Sequence, residues 1–176
     1  MTWSIVRGAM AFVGNLPVPP GQAVGVVVGL VLDRLSPAPL SGPRGLHRAV
    51  GAVTLAAGAA LNAWALVERR RRTAGTFELE HPQWLVTSGP YATSRHPMYV
   101  GWWLLHLGVG VWRGSAWVAG TLPAAVLAEH PGVLDEERKL AREFGAEFTE
   151  YAERVPRYLR WWPRRSAAAR PLRPTS

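Results

Sequence analysis

Two polar clusters, separated by an apolar stretch, contain the side chains of this 176-residue chain that could support chemistry. The first includes His96 and Tyr99, and the second is the pair Glu136-Glu137. Pro97 fits the first position of a helix, and the free N–H groups of a helix start favour a carboxylate or a phosphate. The glutamates, which we expect to open a second helix, would be stabilised by its dipole and could bind a cation or an amino group. Together the clusters suit a small zwitterionic ligand.

Each of these side chains also has a purely structural explanation. His96 by itself is typical of a histidine that makes hydrogen bonds at a membrane interface. Tyr91 and Tyr99, taken singly, are typical of an aromatic belt. A glutamate pair commonly does no more than favour a first helical turn, and His130 could simply line a polar crevice. The paired clusters therefore indicate either a site at the membrane surface or an ordinary loop beside the membrane.

Other kinds of site are disfavoured by composition and motif. The chain has no cysteine, which excludes disulfides and thiolate metal sites. Its five histidines are not spaced as metal ligands on one helix, so we predict no metal site. Glycine-rich dinucleotide and phosphate loops and the nucleophile elbow of hydrolases are also missing from the sequence.

Long apolar runs predict an integral membrane protein. Gly8–Leu32 and Ala49–Val67 are each close to the ~20 residues that cross a bilayer. In the first run, prolines at 17–20 interrupt the pattern, and we expect a helix over 21–33. The second run is rich in Gly and Ala, which would let a neighbouring helix approach closely. A loop is expected between them, over 33–48.

A helical hairpin is predicted after the first polar cluster. Its first arm is a helix over 97–112, and its turn is Arg113-Gly114-Ser115. Its return arm covers 116–134, where we expect Glu129, His130 and Pro131 to disturb the helix. The predicted fold class is an all-α integral membrane protein with about four transmembrane helices plus a cytoplasmic C-terminal amphipathic helix.

That C-terminal helix is predicted from Asp135 to Pro156. Leu140, Phe144, Phe148 and Tyr151 would form its apolar face. With both termini in the cytoplasm, 16 of the 20 basic residues lie on the cytoplasmic side. Residues 1–165 are predicted to form one membrane domain, and 166–176 a disordered basic tail. The net charge of +8 then favours the bilayer and anionic inner-leaflet lipid as partners, and no nucleic acid.

Three segments resemble the isoprenylcysteine carboxyl methyltransferase family, which is related to the phospholipid methyltransferases. The first is Leu85-Val86-Thr87-Ser88-Gly89-Pro90-Tyr91 followed by Arg95-His96-Pro97-Met98-Tyr99-Val100-Gly101. The second is Glu136-Glu137 followed by Leu140. The third is Phe144-Gly145-Ala146-Glu147-Phe148 with Tyr151 and Arg154-Val155-Pro156-Arg157. Their order and spacing match over about residues 48–163.

The resemblance implies a membrane enzyme that uses S-adenosylmethionine to methylate a lipid-like, membrane-embedded acceptor. Its expected cofactor-binding residues are Gln83, Trp84, Leu85, Val86, Tyr91, His96, Pro97, Met98, Tyr99 and Glu136. Gln83 and Trp84 match by position and not by residue type. His130 is the candidate catalytic base, needed only if the acceptor loses a proton. The arginine that binds the acceptor carboxylate in relatives is missing from 130–135, so the acceptor stays open between a carboxylate, an amine and a hydroxyl.

Two other functions remain open from the sequence. Sterol reductases have a related C-terminal architecture, so a membrane reductase using a nicotinamide cofactor is one alternative. A non-catalytic membrane protein that binds lipid or acts as a scaffold is the other.

Overall fold

The computed structural model describes residues 19–72 and 84–159, and within these ranges the chain forms helices and no strand. The helices are α1 (Pro20–Leu35), α2 (Arg44–Arg72), α3 (Pro97–Arg113), α4 (Ala116–Gly120), α5 (Leu122–Phe144) and α6 (Ala146–Arg154). A 3₁₀ turn over Gly89–Ala92 precedes α3. The predictions for Gln83 and for the 166–176 tail lie outside the described residues.

Helix α2 is the longest of the described helices, with 29 residues, and spans about 44 Å. Its residues Arg44–Arg71 are long and apolar enough to cross a membrane, and no other described helix passes the same test of length and composition. The helix begins five residues before the predicted span and continues through the run of four arginines. The loop before it is therefore shorter than predicted.

Helices α2 and α3 pack closely along their lengths, as the small residues predict. A Cβ atom built on Gly58 of α2 would lie 2.7 Å from the carbonyl oxygen of Gly101 on α3. One built on Gly51 would lie 2.5 Å from the backbone of Trp112. Glycines at these crossings let the two backbones meet and fix the position of the start of α3 against α2.

The hairpin turn between α3 and α4 follows the prediction. Gly114 adopts the left-handed conformation, with φ 67°, that ends α3. The Ser115 hydroxyl caps α4 by accepting a hydrogen bond from Val118 N, and it donates one to Asp33 Oδ1 at 2.7 Å. The second bond fastens the end of α1 to this turn.

The prediction of a disturbed return arm is wrong. Helix α5 runs without interruption from Leu122 to Phe144 and contains Pro131. It follows that Glu136 and Glu137 lie inside a helix and do not open one, so stabilisation by a helix start does not apply to them. Pro131 is solvent-exposed and costs one backbone hydrogen bond, which the continuous helix tolerates.

Gly145 divides the predicted C-terminal helix into two. Its φ of +54° ends α5, and α6 begins at Ala146 in a new direction. The predicted apolar face nevertheless forms across this bend. Phe148 and Tyr151 of α6 pack with Leu140 and Phe144 of α5, and Val155 completes the cluster.

Candidate functional site

The start of α3 is fixed by the segment that follows α6. Arg95 N donates to Pro156 O at 2.9 Å, and His96 N donates to Arg157 O at 3.1 Å. His96, at the N-cap position, is buried, and Pro97 takes the first helical position. These bonds hold the first polar cluster against residues 156–157.

Glu137 joins the two polar clusters. Its carboxylate lies 3.2 Å from His96 Nε2 and 2.9 Å from Arg95 Nη2. It also accepts from Arg157 Nε at 3.0 Å and from Nη2 at 2.8 Å. The two clusters, about forty residues apart in sequence, therefore meet at one buried carboxylate.

Several bonds keep Glu137 ionised. Burial acts to raise its pKa, but the hydrogen bonds from His96 and Arg157 and the charge of Arg95 outweigh burial and lower the pKa to about 2. Because a carboxylate only accepts, the proton between the two side chains is on His96 Nε2. The other ring nitrogen, Nδ1, points towards Glu136.

Glu136 borders the open side of the cluster. Its side chain is 42% exposed, and its Oε2 lies 3.7 Å from His96 Nδ1, which is too long for a hydrogen bond. Tyr99 packs edge-on against the His96 ring, with centroids 5.7 Å apart. His96 Nδ1, Glu136 and Tyr99 thus surround a place where a polar ligand could bind.

Tyr91 borders the cluster of His96, Glu136 and Tyr99 on the side of α2. Burial raises the pKa of its phenol to about 12, Arg69 opposes the shift and Glu136 adds to it. The Tyr91 carbonyl accepts a hydrogen bond from the Tyr151 hydroxyl at 2.7 Å. Tyr91 therefore stays a neutral phenol near both Arg69 and Glu136.

The other predicted cofactor-binding residues differ in how deeply they are buried and in what they pack against. Leu85 packs into the apolar cluster of α5 and α6, while Val86 packs against Tyr91 and Met98. The side chains of Pro97 and Met98 are buried, so these residues can offer a ligand little beyond backbone groups. Trp84 is 62% exposed.

Tyr158, which the sequence did not single out, connects the site to the candidate base. Its hydroxyl lies 3.0 Å from His130 Nδ1, and its ring packs 4.7 Å from that of Trp103. The centroids of the Tyr158 and His96 rings are 6.1 Å apart. His130 is therefore near the site, and its role as a base stays a prediction.

A second polar layer lies about two helical turns before Glu136 on α5. It consists of Glu129, Gln22 on α1 and His106 on α3, all of them buried. The sequence contained a weak signal for it, because Gln22 is one of only two polar side chains in the first apolar run. Glu129, seven residues before Glu136, lies on the same face of α5.

Comparisons with known proteins show the family to which the chain is similar. The model of the family "Phospholipid methyltransferase" matches residues 46–147. The cobalt-zinc-cadmium resistance protein CzcN of Cupriavidus metallidurans is 45% identical over 76 residues, which are 43% of this chain and 35% of that protein. The protein-S-isoprenylcysteine O-methyltransferase of Homo sapiens is 39% identical over 74 residues, 41% of this chain and 26% of that protein.

Among solved structures, the eukaryotic intramembrane Ras methyltransferase ICMT has the same fold. The TM-score is 0.54 at 21% identity, and the match covers 77% of this chain and 49% of that chain. The chain spans about a quarter to a third of the length of the curated relatives that it matches. Because the family model covers more than half of its residues, the chain belongs to the phospholipid methyltransferase family.

Proposed function

We propose that this protein transfers a methyl group from S-adenosylmethionine to a membrane-embedded, lipid-like acceptor at the cytoplasmic face. The observation that carries the proposal is the meeting of His96, Glu136 and Glu137 at the start of α3. Family membership supplies the reaction class.

The residues at this place fit the amino-acid part of the methyl donor. Glu136 and His96 Nδ1 would hold an ammonium group. The backbone N–H groups of the first turn of α3, which come after Pro97, would hold a carboxylate. Tyr91 and Tyr99 would flank the ligand, and the backbone of 84–86 would border it. S-adenosylmethionine would supply an electrophilic methyl group on a sulfonium.

The main task of the chain is then alignment and the exclusion of water. An acceptor atom attacks the methyl carbon in line, so holding both reactants in register accounts for most of the rate gain. The buried ion network around Glu137 holds the His96 ring in one orientation. Arg95 and Arg157 are the ion-pair partners of Glu137 and are therefore not free to bind an acceptor.

Placement in a membrane is supported by α2 and by apolar side chains that the fold leaves exposed. These include Val24, Val27 and Val31 on α1 and Val53 and Trp64 on α2. We propose four crossings, by α1, α2, α3 and residues 116–134, with both termini cytoplasmic and residues 1–165 forming one membrane domain. Anionic lipid of the inner leaflet would contact the basic residues on that side.

Calorimetric titration of the purified protein in detergent with S-adenosylmethionine tests the proposal. We expect saturable binding, weakened about fivefold in Glu136→Gln, since an ion pair with a partly exposed carboxylate contributes up to about 1 kcal/mol. Glu143→Gln, an exposed glutamate on the same helix, is the matched control and should bind as the wild type does. No saturable heat from folded wild-type protein would refute the proposed function.

A further inference from the structure

The second polar layer is built from three helices and is well shielded from solvent. Gln22 on α1 is 3% exposed, His106 on α3 is 2% exposed, and Glu129 on α5 is 8% exposed. Buried polar groups are costly unless they are bonded, and a carboxylate without a cationic partner is the costliest of them. A buried carboxylate such as Glu129 is therefore expected to have a specific role.

Three hydrogen bonds of this layer lead to Glu129 through Gln22, whereas His106 Nε2 lies on the other side, 2.9 Å from Val118 O and 3.1 Å from Thr121 Oγ1. Gln22 donates from its backbone N to Glu129 Oε1 at 2.8 Å and from Nε2 to Oε2 at 2.9 Å. The Gln22 Oε1 atom must then accept, so His106 Nδ1 donates to it at 2.7 Å. Gln22 also lies in the first turn of α1, a 16-residue helix whose N-terminal dipole favours an anion. Both Glu129 oxygens are thereby fixed as acceptors.

Glu129 lies near the candidate methyl-donor site. It is seven residues before Glu136 on α5, which is two turns or about 10.5 Å along the helix. On α3, His106 likewise follows Tyr99 by seven residues. The two polar layers thus lie at two levels of one helix pair, and the carboxylate of Glu129 is electrostatically coupled to the phenols of Tyr99 and Tyr158.

Aromatic side chains occupy the level between the two layers. The Trp103 and Tyr158 rings pack 4.7 Å apart, and His130 bonds to the Tyr158 hydroxyl. The Trp103 indole N–H is buried and has no hydrogen-bond partner among the described residues. An unpaired donor there and the remaining lone pairs of Glu129 are the groups that a polar ligand would satisfy.

The charges select among acceptors. Arg95 and Arg157 are bonded to Glu137 and do not face the second polar layer as free cations. Glu129 adds a negative charge at that layer. An acceptor carboxylate placed here would face Glu129 at low dielectric and be repelled. An acceptor that bears a proton on its nucleophilic atom would instead be attracted.

We infer that Glu129 binds the methyl acceptor by accepting a hydrogen bond from its N–H or O–H group, so that the acceptor is an amine or a hydroxyl and not a carboxylate. This inference rests on the proposed function. The acceptor nitrogen or oxygen forms a bond to the methyl carbon while the carbon–sulfur bond breaks and its electron pair remains on sulfur. The proton of the acceptor passes to Glu129 and then to water after product release.

The stability of the transferred methyl group to base tests the acceptor class. Membranes containing the full chain are incubated with tritiated methyl donor, and the lipid extract is treated with alkali. Carboxyl methyl esters release volatile methanol, whereas N-methyl and O-methyl ether products keep their label. We expect label that resists alkali and is missing from membranes without the protein. Volatile label would overturn the inference while leaving methyl transfer intact, and no label at all would refute the proposed function together with it.

The role of Glu129 is tested by Glu129→Gln, with Glu143→Gln as the charge-matched control on the same helix. We expect labelling to fall at least tenfold in Glu129→Gln at saturating methyl donor, with the calorimetric Kd for S-adenosylmethionine within twofold of the wild type. Unchanged labelling would overturn the inference, as would an equal loss of methyl-donor affinity in folded protein. If Glu129→Gln does not fold, the alkali test on the wild type decides.

Discussion

Replacing Glu137 with glutamine should damage both the fold and the site. The carboxylate bonds to His96, Arg95 and Arg157, whereas a glutamine side chain carries no charge and has one accepting atom. Two guanidinium groups would keep their positions but lose their counter-ion. The His96 ring would lose the partner that fixes the proton on Nε2.

The size of the effect follows from burial. The side chains of Arg95 and Glu137 are 11% and 10% exposed, and breaking a buried ion pair costs about 3–5 kcal/mol. Arg157 is 33% exposed and adds less, and the glutamine oxygen keeps one bond, which puts the loss at about 3 kcal/mol. For a chain of this length that loss lowers the midpoint of thermal unfolding by about 6–12 °C.

Thermal unfolding in detergent, followed by tryptophan fluorescence, measures this shift. Glu143→Gln should unfold at the wild-type temperature because Glu143 is exposed. Calorimetric titration of folded Glu137→Gln should show weaker binding of S-adenosylmethionine, since His96 is no longer held in place. A shift below about 2 °C together with unchanged binding would refute the assigned role of Glu137.

Two further predictions concern pH and helix packing. The pKa of Glu137 is about 2 in the folded protein, against an ordinary value of 4.5. The stability that the Glu137 carboxylate contributes is therefore complete above pH 4.5 and is lost as the pH falls towards 2. Acid unfolding curves of Glu137→Gln should not show this loss of stability. Gly101→Ala would drive a Cβ atom into the Asn62 side chain at the α2–α3 crossing, and we expect it to lower the stability measured by thermal unfolding by about 1–3 kcal/mol. Gly132→Ala is the control, because Gly132 has open space around it, and it should not destabilise the protein. Equal effects of the two substitutions would contradict the close packing of α2 on α3.

The sequence predicted the meeting of the two polar clusters better than it predicted the helix ends. Pro97 at a helix start and the approach of His96 to the glutamates both follow from local signals, namely a proline at the first helical position and polar residues flanking apolar runs. The Leu140, Phe144, Phe148 and Tyr151 cluster was visible as spacing, although Gly145 bends the chain within it.

The second polar layer was not predicted because its residues are isolated in sequence. Gln22 and His106 each lie within an apolar run, and only the packing of α1 against α3 and α5 brings them to Glu129. Local propensity also suggested a break at Pro131, whereas α5 continues through it. Pairing between distant helices is the information that local sequence patterns do not contain.

Photo-cross-linking of tritiated S-adenosylmethionine, followed by peptide mapping, tests the central claim most directly. The account predicts label on two peptides that are remote in sequence, one containing residues 91–99 and the other containing residues 130–137, and loss of both in His96→Ala. Label confined to one of these peptides, or found only elsewhere in folded protein, would contradict a single site formed by the two polar clusters.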